Sequence, residues 1–345
     1  LFITMAPATL EQENHTRDAE FNRVLHGKSS QAQGGFAAML GGKDAAAQKA
    51  AVEEYFKHWD NKDAADETDD IRAARRAEYA TLTRHYYNLA TDLYEYGWGT
   101  SFHFCRFAQG EPFHQAIARH EHYLAHTMGI KSDLQIHRCN VVGFNNNDYQ
   151  IQRATRYAER EGLSDKLSFV KATCHAPELE GVYKEILRVL KPGGVFGVYE
   201  WLMTDEYDND NAEHRKIRLG IEQGDGISNM VKVSEGLQAF KNAGFEVLHH
   251  EDLADRPDAI PWYYPLAGSF KHMTSPWDFF TIARMTWWGR GIAHRFVGAL
   301  ETVGLAPKGT QKTADSLAVA GDCLVAGGEK KLFTPMYLMV GRKPE

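Results

Sequence analysis

Short apolar runs alternate with helical segments in the middle of the chain, and this alternation is the strongest constraint on the fold. Strand-like runs and the helical segments between them follow in the order Asn140–Phe144, Tyr149–Glu161, Leu167–Val170, Leu179–Leu190 and Val195–Trp201. Strands that alternate with helices of about 10–15 residues are typical of βαβ units. Because each helix would cross over between parallel strands, the pattern predicts an α/β protein with a parallel sheet.

The flanks of this central part are predicted to be distinct regions. Residues 5–93 are interpreted as a helical N-terminal region with one helix at Asp44–His58 and a long amphipathic helix, broken once, at Asp63–Leu93. A core domain is predicted for residues 94–255 and a C-terminal region for residues 256–345. The C-terminal region combines clusters of Pro, Trp and Tyr with two helical segments and a closing strand, which favours a lid or a substrate-binding region.

The charge balance argues against a nucleic-acid partner. The 345 residues include 39 Lys and Arg against 46 Asp and Glu, so the net charge is −7. A nucleic-acid binder needs a basic surface that neutralises phosphates. No apolar run approaches the roughly 20 residues of a membrane-spanning helix, and no secretory signal pattern is present. The sequence therefore predicts neither a nucleic-acid partner nor a membrane span.

The cysteines and histidines do not follow the spacing of a metal site. The four cysteines lie far apart and form no Cys-x-x-Cys pair. This argues against a disulfide scaffold or a structural zinc site and favours a reducing compartment. His122 and His126 have the spacing of a helical ligand pair, but no third ligand stands at a typical distance. No metal is predicted.

Aromatic side chains make up 12% of the chain and cluster at Tyr86–Phe107, Trp262–Tyr264 and Phe279–Trp288, and the most specific segment is Tyr94–Phe104. The segment is predicted to be a loop, since Gly97 and Gly99 let the backbone turn or approach a ligand closely. It offers five rings together with the Glu95 carboxylate and the His103 imidazole. Such a wall can stabilise a transient carbocation, whereas packing in the core is the simpler role for any single ring. Both interpretations remain open from the residues alone.

An asparagine-rich segment, Asn140–Gln150, runs from the first predicted strand into a helix. Ligands of open α/β sheets bind at the carboxyl ends of the strands. Asn145, Asn146, Asn147 and Asp148 offer donors and acceptors to a ribose diol there. The alternative is an Asn-rich turn that only caps the next helix.

Three further polar segments are candidates for a pocket wall. His175 follows a predicted strand end, although a lone histidine is more often structural. Glu200 lies near the end of a predicted strand, and Glu222 and Asp225 lie in the segment EQGDG. Solvent-exposed surface is the default interpretation for Glu222.

Together these segments make the sequence resemble the fungal sterol 24-C-methyltransferases. Matching segments come in order and cover nearly the whole chain from about Thr81: Tyr94–Phe104, Ile117–Leu124, Asn140–Gln150, Thr173–Pro177, Val189–Gly194, Tyr199–Trp201, Glu222–Ile227, Glu251–Asp255, Ile260–Pro265, Leu305–Pro307 and Leu332–Pro335. The first of these is highly specific to the family, whereas the Lys-Pro-Gly-Gly turn alone indicates only a class I methyltransferase.

The resemblance implies a Rossmann-like class I methyltransferase with seven strands, a helical N-terminal extension and a C-terminal sterol-binding region. It implies S-adenosyl-L-methionine as the cofactor and a sterol with a side-chain double bond, such as zymosterol, as the substrate. The alkene would take the methyl group, and the tertiary cation would lose a proton after a hydride shift. The product would be a methylene sterol in ergosterol biosynthesis. A non-catalytic sterol-binding protein, or a related methyltransferase for a tocopherol, a fatty acid or a small amine, is the alternative.

The resemblance also assigns roles to residues and a place to the protein. The catalytic candidates are Tyr94, Glu95, His103, His175 and Asp225. The substrate-binding candidates are Tyr96, Trp98, Phe102, Phe104, Glu200, Glu222 and Tyr263. The cofactor-binding candidates are Asn145, Asn146, Gln150, Trp98 and Ser101. Peripheral association with the endoplasmic reticulum or lipid droplets, on the cytoplasmic face, and a homo-oligomer are also expected.

The sequence departs from the family pattern at two junctions. The family's glycine-rich cofactor loop should follow soon after Gly129, but only the eight residues Ile130–His137 separate that glycine from the next strand. Eight residues cannot hold a strand, a turn and a helix, since a crossover alone takes about a dozen. A second shortfall, of an acidic turn and a strand, follows Lys171.

Two explanations compete for this shortfall. The protein either lacks its cofactor cradle and is a non-catalytic sterol binder, or residues are missing from this sequence at Lys131–Ser132 and Lys171–Ala172. The second explanation is favoured, because a genuine loss would remove a central strand and leave a core that does not close. It predicts Cα–Cα distances well beyond about 3.8 Å at both junctions.

Overall fold

The computed structural model describes residues 15–27, 43–59, 67–130, 141–171, 178–273 and 275–345. Twelve α-helices occur in these ranges: α1 (His15–His26), α2 (Ala45–Phe56), α3 (Asp69–Ala77), α4 (Tyr79–Gly97), α5 (Phe113–Thr127), α6 (Asp148–Arg160), α7 (Leu179–Val189), α8 (Ala212–Asp225), α9 (Val233–Asn242), α10 (Pro276–Met285), α11 (Trp287–Thr302) and α12 (Thr310–Glu329). Five strands occur with them: β1 (Val141–Asn145), β2 (Leu167–Lys171), β3 (Val195–Met203), β4 (Glu246–Asp252) and β5 (Phe333–Arg342). None of the helices in these ranges has the length and apolar character of a membrane span.

Side-chain caps explain where several helices begin. The carboxylate of Asp44 accepts hydrogen bonds from the backbone N–H groups of Ala46 (3.0 Å) and Ala47 (2.9 Å), at the start of α2. Thr68 caps α3 and Asn147 caps α6 in the same way. Such caps satisfy N–H groups that have no partner within the helix. The helix predicted to start at Asp44 is confirmed.

The long helix predicted for residues 63–93 is divided, and its second half runs further than expected. A break at Glu78 separates α3 from α4, and α4 continues to Gly97. Tyr94 therefore lies on a helix, and its prediction as part of a loop is wrong. The reason is packing: Tyr86 and Leu89, on the same side of α4 as Tyr94, are buried against α2, and this burial extends the helix over Gly97.

The strands of the described ranges form two sheets. β1 and β2 are parallel, with Val141 opposite Leu167, which confirms the predicted parallel pair. The other sheet has the order β3-β5-β4, and β5 runs antiparallel to both neighbours. The predicted parallel pairing is thus found for β1 and β2, whereas β5, the closing strand predicted for the C-terminal region, runs antiparallel and pairs with two strands of the predicted core.

The described residues contain five strands, whereas the resemblance implies seven. The β1–β2 pair is correspondingly left with exposed apolar side chains. Parallel strands are normally covered on both faces. Here Val141, Val142, Phe144 and Val170 are exposed, Phe144 by 63%. The difference of two strands agrees with the two shortfalls in the sequence. The junctions themselves, in residues 131–140 and 172–177, lie outside the described residues, so the distances predicted there stay untested.

Helices α8 and α12 pack closely through small residues, and this contact positions the end of α8. A Cβ atom added to Gly224 would lie 1.9 Å from the Cβ of Ala320, so the two helices leave no room for a side chain there. Gly226 ends α8 with a φ of 67°, in the left-handed region that favours glycine. Asp225 is thereby held at the end of α8, between α4 and α12.

Candidate active site

An apolar cavity of about 450 Å³ lies between the end of α4, the loop that follows it, and helices α10, α11 and α12. The aromatic segment supplies one wall through Tyr94, Tyr96, Trp98, Phe102, His103 and Phe104. Its rings also pack against one another, with centroid distances of 5.1 Å for Tyr94–Phe102 and 5.2 Å for Trp98–Phe104. Both interpretations of the segment therefore apply, because rings that fix one another's orientation also form the cavity wall.

Asp225 brings a buried carboxylate to this cavity. Asp225 is 8% exposed and lines the cavity beside Tyr94. The Tyr94 hydroxyl donates a hydrogen bond to Oδ1 of Asp225 (2.9 Å), and among the described residues no partner is found for Oδ2. Burial raises the pKa of Asp225 to about 7, and the hydrogen bond from Tyr94 only partly offsets this rise. The carboxylate is therefore able to gain and lose a proton near neutral pH.

A second tyrosine holds Tyr94 in place. The hydroxyl oxygens of Tyr86 and Tyr94 are 2.5 Å apart, and the Tyr86 hydroxyl donates to the backbone carbonyl of Gly224 (2.6 Å). The Tyr86 hydroxyl thus links Tyr94 on α4 to the backbone at the end of α8, and the Tyr94 hydroxyl is held within hydrogen-bond distance of Asp225. Sequence reasoning missed Tyr86, whose role depends on the contact between α4 and α8.

His103 is oriented by polar groups at the edge of the cavity. Its Nε2 lies 2.9 Å from Oε1 of Glu121, and its Nδ1 lies 3.0 Å from the carbonyl oxygen of Phe104. Burial lowers the pKa of His103, but these hydrogen bonds outweigh burial and the net shift is upward. Ser101, a cofactor-binding candidate, donates to the same Glu121 oxygen (3.1 Å) and is not in the cavity wall.

The carboxylates of Glu200 and Glu222, predicted to bind substrate, do not line the cavity. Glu200 accepts a hydrogen bond from the Tyr183 hydroxyl (2.8 Å), and burial raises the pKa of Glu200 to about 7. Its neighbour Trp201 lines the cavity instead. Successive residues of a strand point to opposite faces, so only one of the two can face the cavity. Glu222 lies in a separate buried ion-pair cluster with Arg218.

Tyr263 and His175 complete the sequence-based candidates. The ring of Tyr263 packs beside Gly328 and Trp262, and Tyr263 is not in the cavity wall. His175 lies outside the described residues. The wall also contains Phe280 and Trp288, from the aromatic cluster Phe279–Trp288, and side chains that the sequence did not single out, chiefly Leu266, Arg284 and Leu324.

Glu95 is buried in an ion pair outside the cavity. Its carboxylate binds the guanidinium of Arg153 on α6, with Nε of Arg153 3.1 Å from Oε1, and the two side chains are 5% and 3% exposed. The pair joins α4 to α6. Glu95 therefore supports the packing of α4 against α6 and does not line the cavity, and its predicted catalytic role stays untested.

Replacing Glu95 by Gln is expected to lower the free energy of unfolding by an amount approaching the about 3–5 kcal/mol typical of a broken buried ion pair. The reason is that the buried guanidinium of Arg153 would lose the carboxylate that it binds. Urea denaturation measures the change. Glu53→Gln is the matched control, because the pair of Glu53 with Lys49 is exposed. Unchanged stability together with a selective loss of turnover would instead support the catalytic role predicted from sequence.

The amide candidates gather at the carboxyl end of β1. Nδ2 of Asn145 donates to Oε1 of Gln150 (2.7 Å), and Nε2 of Gln150 donates to Oγ1 of Thr91 (3.1 Å). Thr91 lies one helical turn before Tyr94 on α4, so this amide cluster and the cavity share one stretch of helix. Asn146 is 1% exposed, and no partner is found for its Nδ2 among the described residues.

This cluster fits the ribose end of a nucleoside cofactor. The buried Nδ2 of Asn146 is an unsatisfied donor, which costs free energy unless a ligand accepts from it. Asn147 acts as the helix cap that the alternative interpretation required, with Oδ1 accepting from the N–H of Gln150 (3.0 Å). Asn147 therefore caps α6, whereas Nδ2 of the neighbouring Asn146 is left as a donor without a partner among the described residues. The glycine-rich segment for the other end of the cofactor is not part of this sequence.

The sequence was compared with known proteins. The sterol 24-C-methyltransferase erg6 of Aspergillus fumigatus is 78% identical over 378 aligned positions, which cover 99% of this chain and all of the relative. The chain belongs to the sterol 24-C-methyltransferase family. Sterol 24-C-methyltransferase ERG6A of Gibberella zeae is 64% identical, with 97% of each chain covered, and the family model for the sterol methyltransferase C-terminal region matches residues 280–345.

Two further findings concern the fold of this sterol methyltransferase. The crystal structure of the [4+2]-cyclase SpnF matches with a TM-score of 0.50 and 16% identity, over 77% of this chain and 96% of that one, which supports the Rossmann-like fold alone. The alignment with the Aspergillus fumigatus relative spans 378 positions against 345 residues here, so at least 33 of its positions have no counterpart in this chain. This difference agrees with a shortfall in this chain, and its location at the two junctions stays a prediction.

Proposed function

We propose that this protein transfers a methyl group from S-adenosyl-L-methionine to the side-chain double bond of a sterol. Its family membership supports the reaction class, and the aromatic cavity supports an apolar substrate. The observation that carries the proposal is the position of Asp225 and Tyr94. They form the buried carboxylate–hydroxyl pair in the wall of a cavity that is otherwise mainly apolar. A methylation that ends in proton loss needs one such base and no competing water.

The amide cluster of Asn145, Asn146 and Gln150 would hold the ribose of S-adenosyl-L-methionine, which supplies an electrophilic methyl group when bound. The cavity holds the sterol so that its alkene faces the methyl group, and the positioning lowers the entropic barrier. The π electrons of the alkene would form the new C–C bond, the electron pair of the broken S–C bond would remain on the sulfur of the departing thioether, and a positive charge would develop on a side-chain carbon of the sterol. The rings of Trp98, Phe102 and Phe104 shelter this charge and exclude water from it.

Proton removal completes the reaction. Oδ2 of Asp225 has no partner among the described residues and is buried, so it is available to accept a proton from the carbon beside the cation. Tyr94 donates to Oδ1 and limits the tendency of the carboxylate to attack the cation itself. The new C=C bond forms from the electrons of the broken C–H bond. After release of the product, Asp225 returns its proton to solvent, which a pKa of about 7 allows at neutral pH.

The proposal is tested by methyl transfer from radiolabelled S-adenosyl-L-methionine with the purified full chain. Label should appear in a Δ24-sterol and not in a tocopherol, a fatty acid or a small amine. The Aspergillus fumigatus relative, which has the additional aligned positions, is the positive control. Sterol binding without methyl transfer would contradict the proposal and identify a non-catalytic sterol binder. Placement at the endoplasmic reticulum or lipid droplets, and a homo-oligomeric state, stay predictions.

A further inference from the structure

Helices α10 and α11 expose an unusually aromatic surface. Trp287 is 82% exposed, Phe280 is 55% exposed and Phe279 is 43% exposed, and Trp288, Ile292 and Phe296 are exposed by 41–60%. We call these six residues the aromatic rim. Large contiguous apolar patches are rare on the surface of soluble proteins and mark sites of interaction with another protein or a membrane.

The aromatic rim surrounds an opening of the cavity. Phe280, Trp288, Ile292 and Phe296 line the cavity and are also exposed at the surface. Side chains that do both lie where the cavity meets its surroundings. Trp287 and Phe279 are not in the cavity wall and extend the rim outward. An apolar ligand therefore has a continuous apolar path from this surface to the cavity.

The charges around the aromatic rim are mainly basic. Residues 270–300 contain four basic side chains, Lys271, Arg284, Arg290 and Arg295, although the whole chain has a net charge of −7. The acidic residue of this stretch, Asp278, is 4% exposed and accepts backbone hydrogen bonds. On the neighbouring helix α12, Asp322 pairs with Arg290 and Asp315 pairs with His294, so the four basic side chains stand against two exposed carboxylates. Aromatic side chains with a basic border are the combination that binds the interface of a bilayer containing anionic lipids.

We propose that the aromatic rim docks on an anionic phospholipid bilayer and that the sterol passes from that bilayer directly into the cavity. The second part rests on the proposed function, because a sterol partitions into membranes. The basic side chains around the rim favour a lipid surface over a second copy of this chain. A second copy, although net acidic, would offer its acidic groups to only part of these side chains, whereas a layer of anionic headgroups would contact all of them.

Vesicle flotation tests the docking surface without relying on catalysis. The full chain is mixed with phosphatidylcholine vesicles, with or without phosphatidylserine, and the double variant Phe279→Ser/Trp287→Ser is compared. The wild-type chain should float with the vesicles, and more of it should float when phosphatidylserine is present. The variant should bind the vesicles at least roughly tenfold more weakly. The matched control is Val189→Ser/Leu248→Ser, with residues 64% and 42% exposed elsewhere, and it should bind like wild type.

Two further readouts separate the possible failures. The double variant should methylate sterol in detergent micelles at the wild-type rate but lose activity with sterol in vesicles. If the wild-type chain transferred no methyl group in either micelles or vesicles, the proposed function would be contradicted. Flotation would still show whether the aromatic rim binds the bilayer. Equal flotation of variant and wild type would overturn the docking proposal. A change from dimer to monomer in sedimentation, with flotation unchanged, would instead identify the rim as an interface between copies.

Discussion

Replacing Asp225 by Asn is expected to lower the turnover of methyl transfer by about 10²–10⁴-fold, the usual contribution of a positioned general base. Asn accepts a hydrogen bond from Tyr94 as Asp225 does, so the cavity keeps its shape, but the amide takes no proton from the sterol cation. Turnover of the wild-type protein should also fall as the pH is lowered through about 7, where Asp225 becomes protonated. Steady-state kinetics across this pH range measure both effects.

The same substitution should stabilise the folded protein at high pH. Burial raises the pKa of Asp225 from 3.8 to about 7, so the unfolded chain loses this proton near pH 4 while the folded chain holds it until about pH 7. The folded state is therefore penalised increasingly as pH rises from 4 to 7, and the penalty is full above 7. Asn avoids this penalty. Below pH 4 both proteins bury a neutral side chain, and their stabilities should converge.

Thermal unfolding at pH 8 and at pH 3.5 separates this effect from damage to the fold. The control is Asp165→Asn, because the side chain of Asp165 is 72% exposed and should change neither stability nor turnover. A variant at position 225 that is inactive and also less stable at pH 8 would indicate a structural role. Full activity of Asp225→Asn would remove Asp225 from the mechanism.

Replacing Glu222 by Ala is expected to cause the largest loss of stability, about 3–5 kcal/mol in the free energy of unfolding. Glu222 is fully buried and accepts from Nη1 of Arg218 (2.7 Å), from Nη2 of Arg75 (3.3 Å) and from the backbone N–H of Met230 (2.8 Å). Glu67 pairs with the same two arginines. Without Glu222, two buried guanidinium groups share one carboxylate and retain an uncompensated positive charge.

Urea denaturation measures this loss, and the exposed pair of Glu213 with Lys330 provides the control. Glu213→Ala should change the free energy of unfolding little, as is usual for an exposed ion pair. The role in substrate binding that the resemblance implies for Glu222 predicts instead that Glu222→Ala weakens sterol binding and leaves the free energy of unfolding unchanged. Unchanged stability with weakened sterol binding would support that role and contradict the structural one.

Local chemistry made much of this protein predictable. Alternating apolar runs indicated the parallel pair of β1 and β2, and the carboxylate of Asp44 indicated the start of α2. The glycine- and aromatic-rich segment Tyr94–Phe104 indicated either a cavity wall or core packing, and its rings do both. These signals are short-range, so they can be read from neighbouring residues alone.

Helix α8 shows why other features could not be predicted. Its buried residues include Arg218, Glu222 and Asp225 beside Ile217 and Ile221, so charged residues interrupt the hydrophobic period that normally indicates a buried helix. Those charges are tolerated because distant partners compensate them, including Arg75 from α3 and Tyr94 from α4. Nothing near them in the chain indicates those partners.

The distribution of carboxylates therefore depended on contacts between distant elements. All four carboxylates, those of Glu95, Glu200, Glu222 and Asp225, lie in segments that the sequence predicts to line a pocket. In the folded protein, Glu95 and Glu222 form ion pairs with arginines, Glu200 accepts a hydrogen bond from Tyr183, and Asp225 lines the cavity. The physical reason is that a buried charge takes its properties from whatever surrounds it in space, and residues far apart in the chain provide those surroundings.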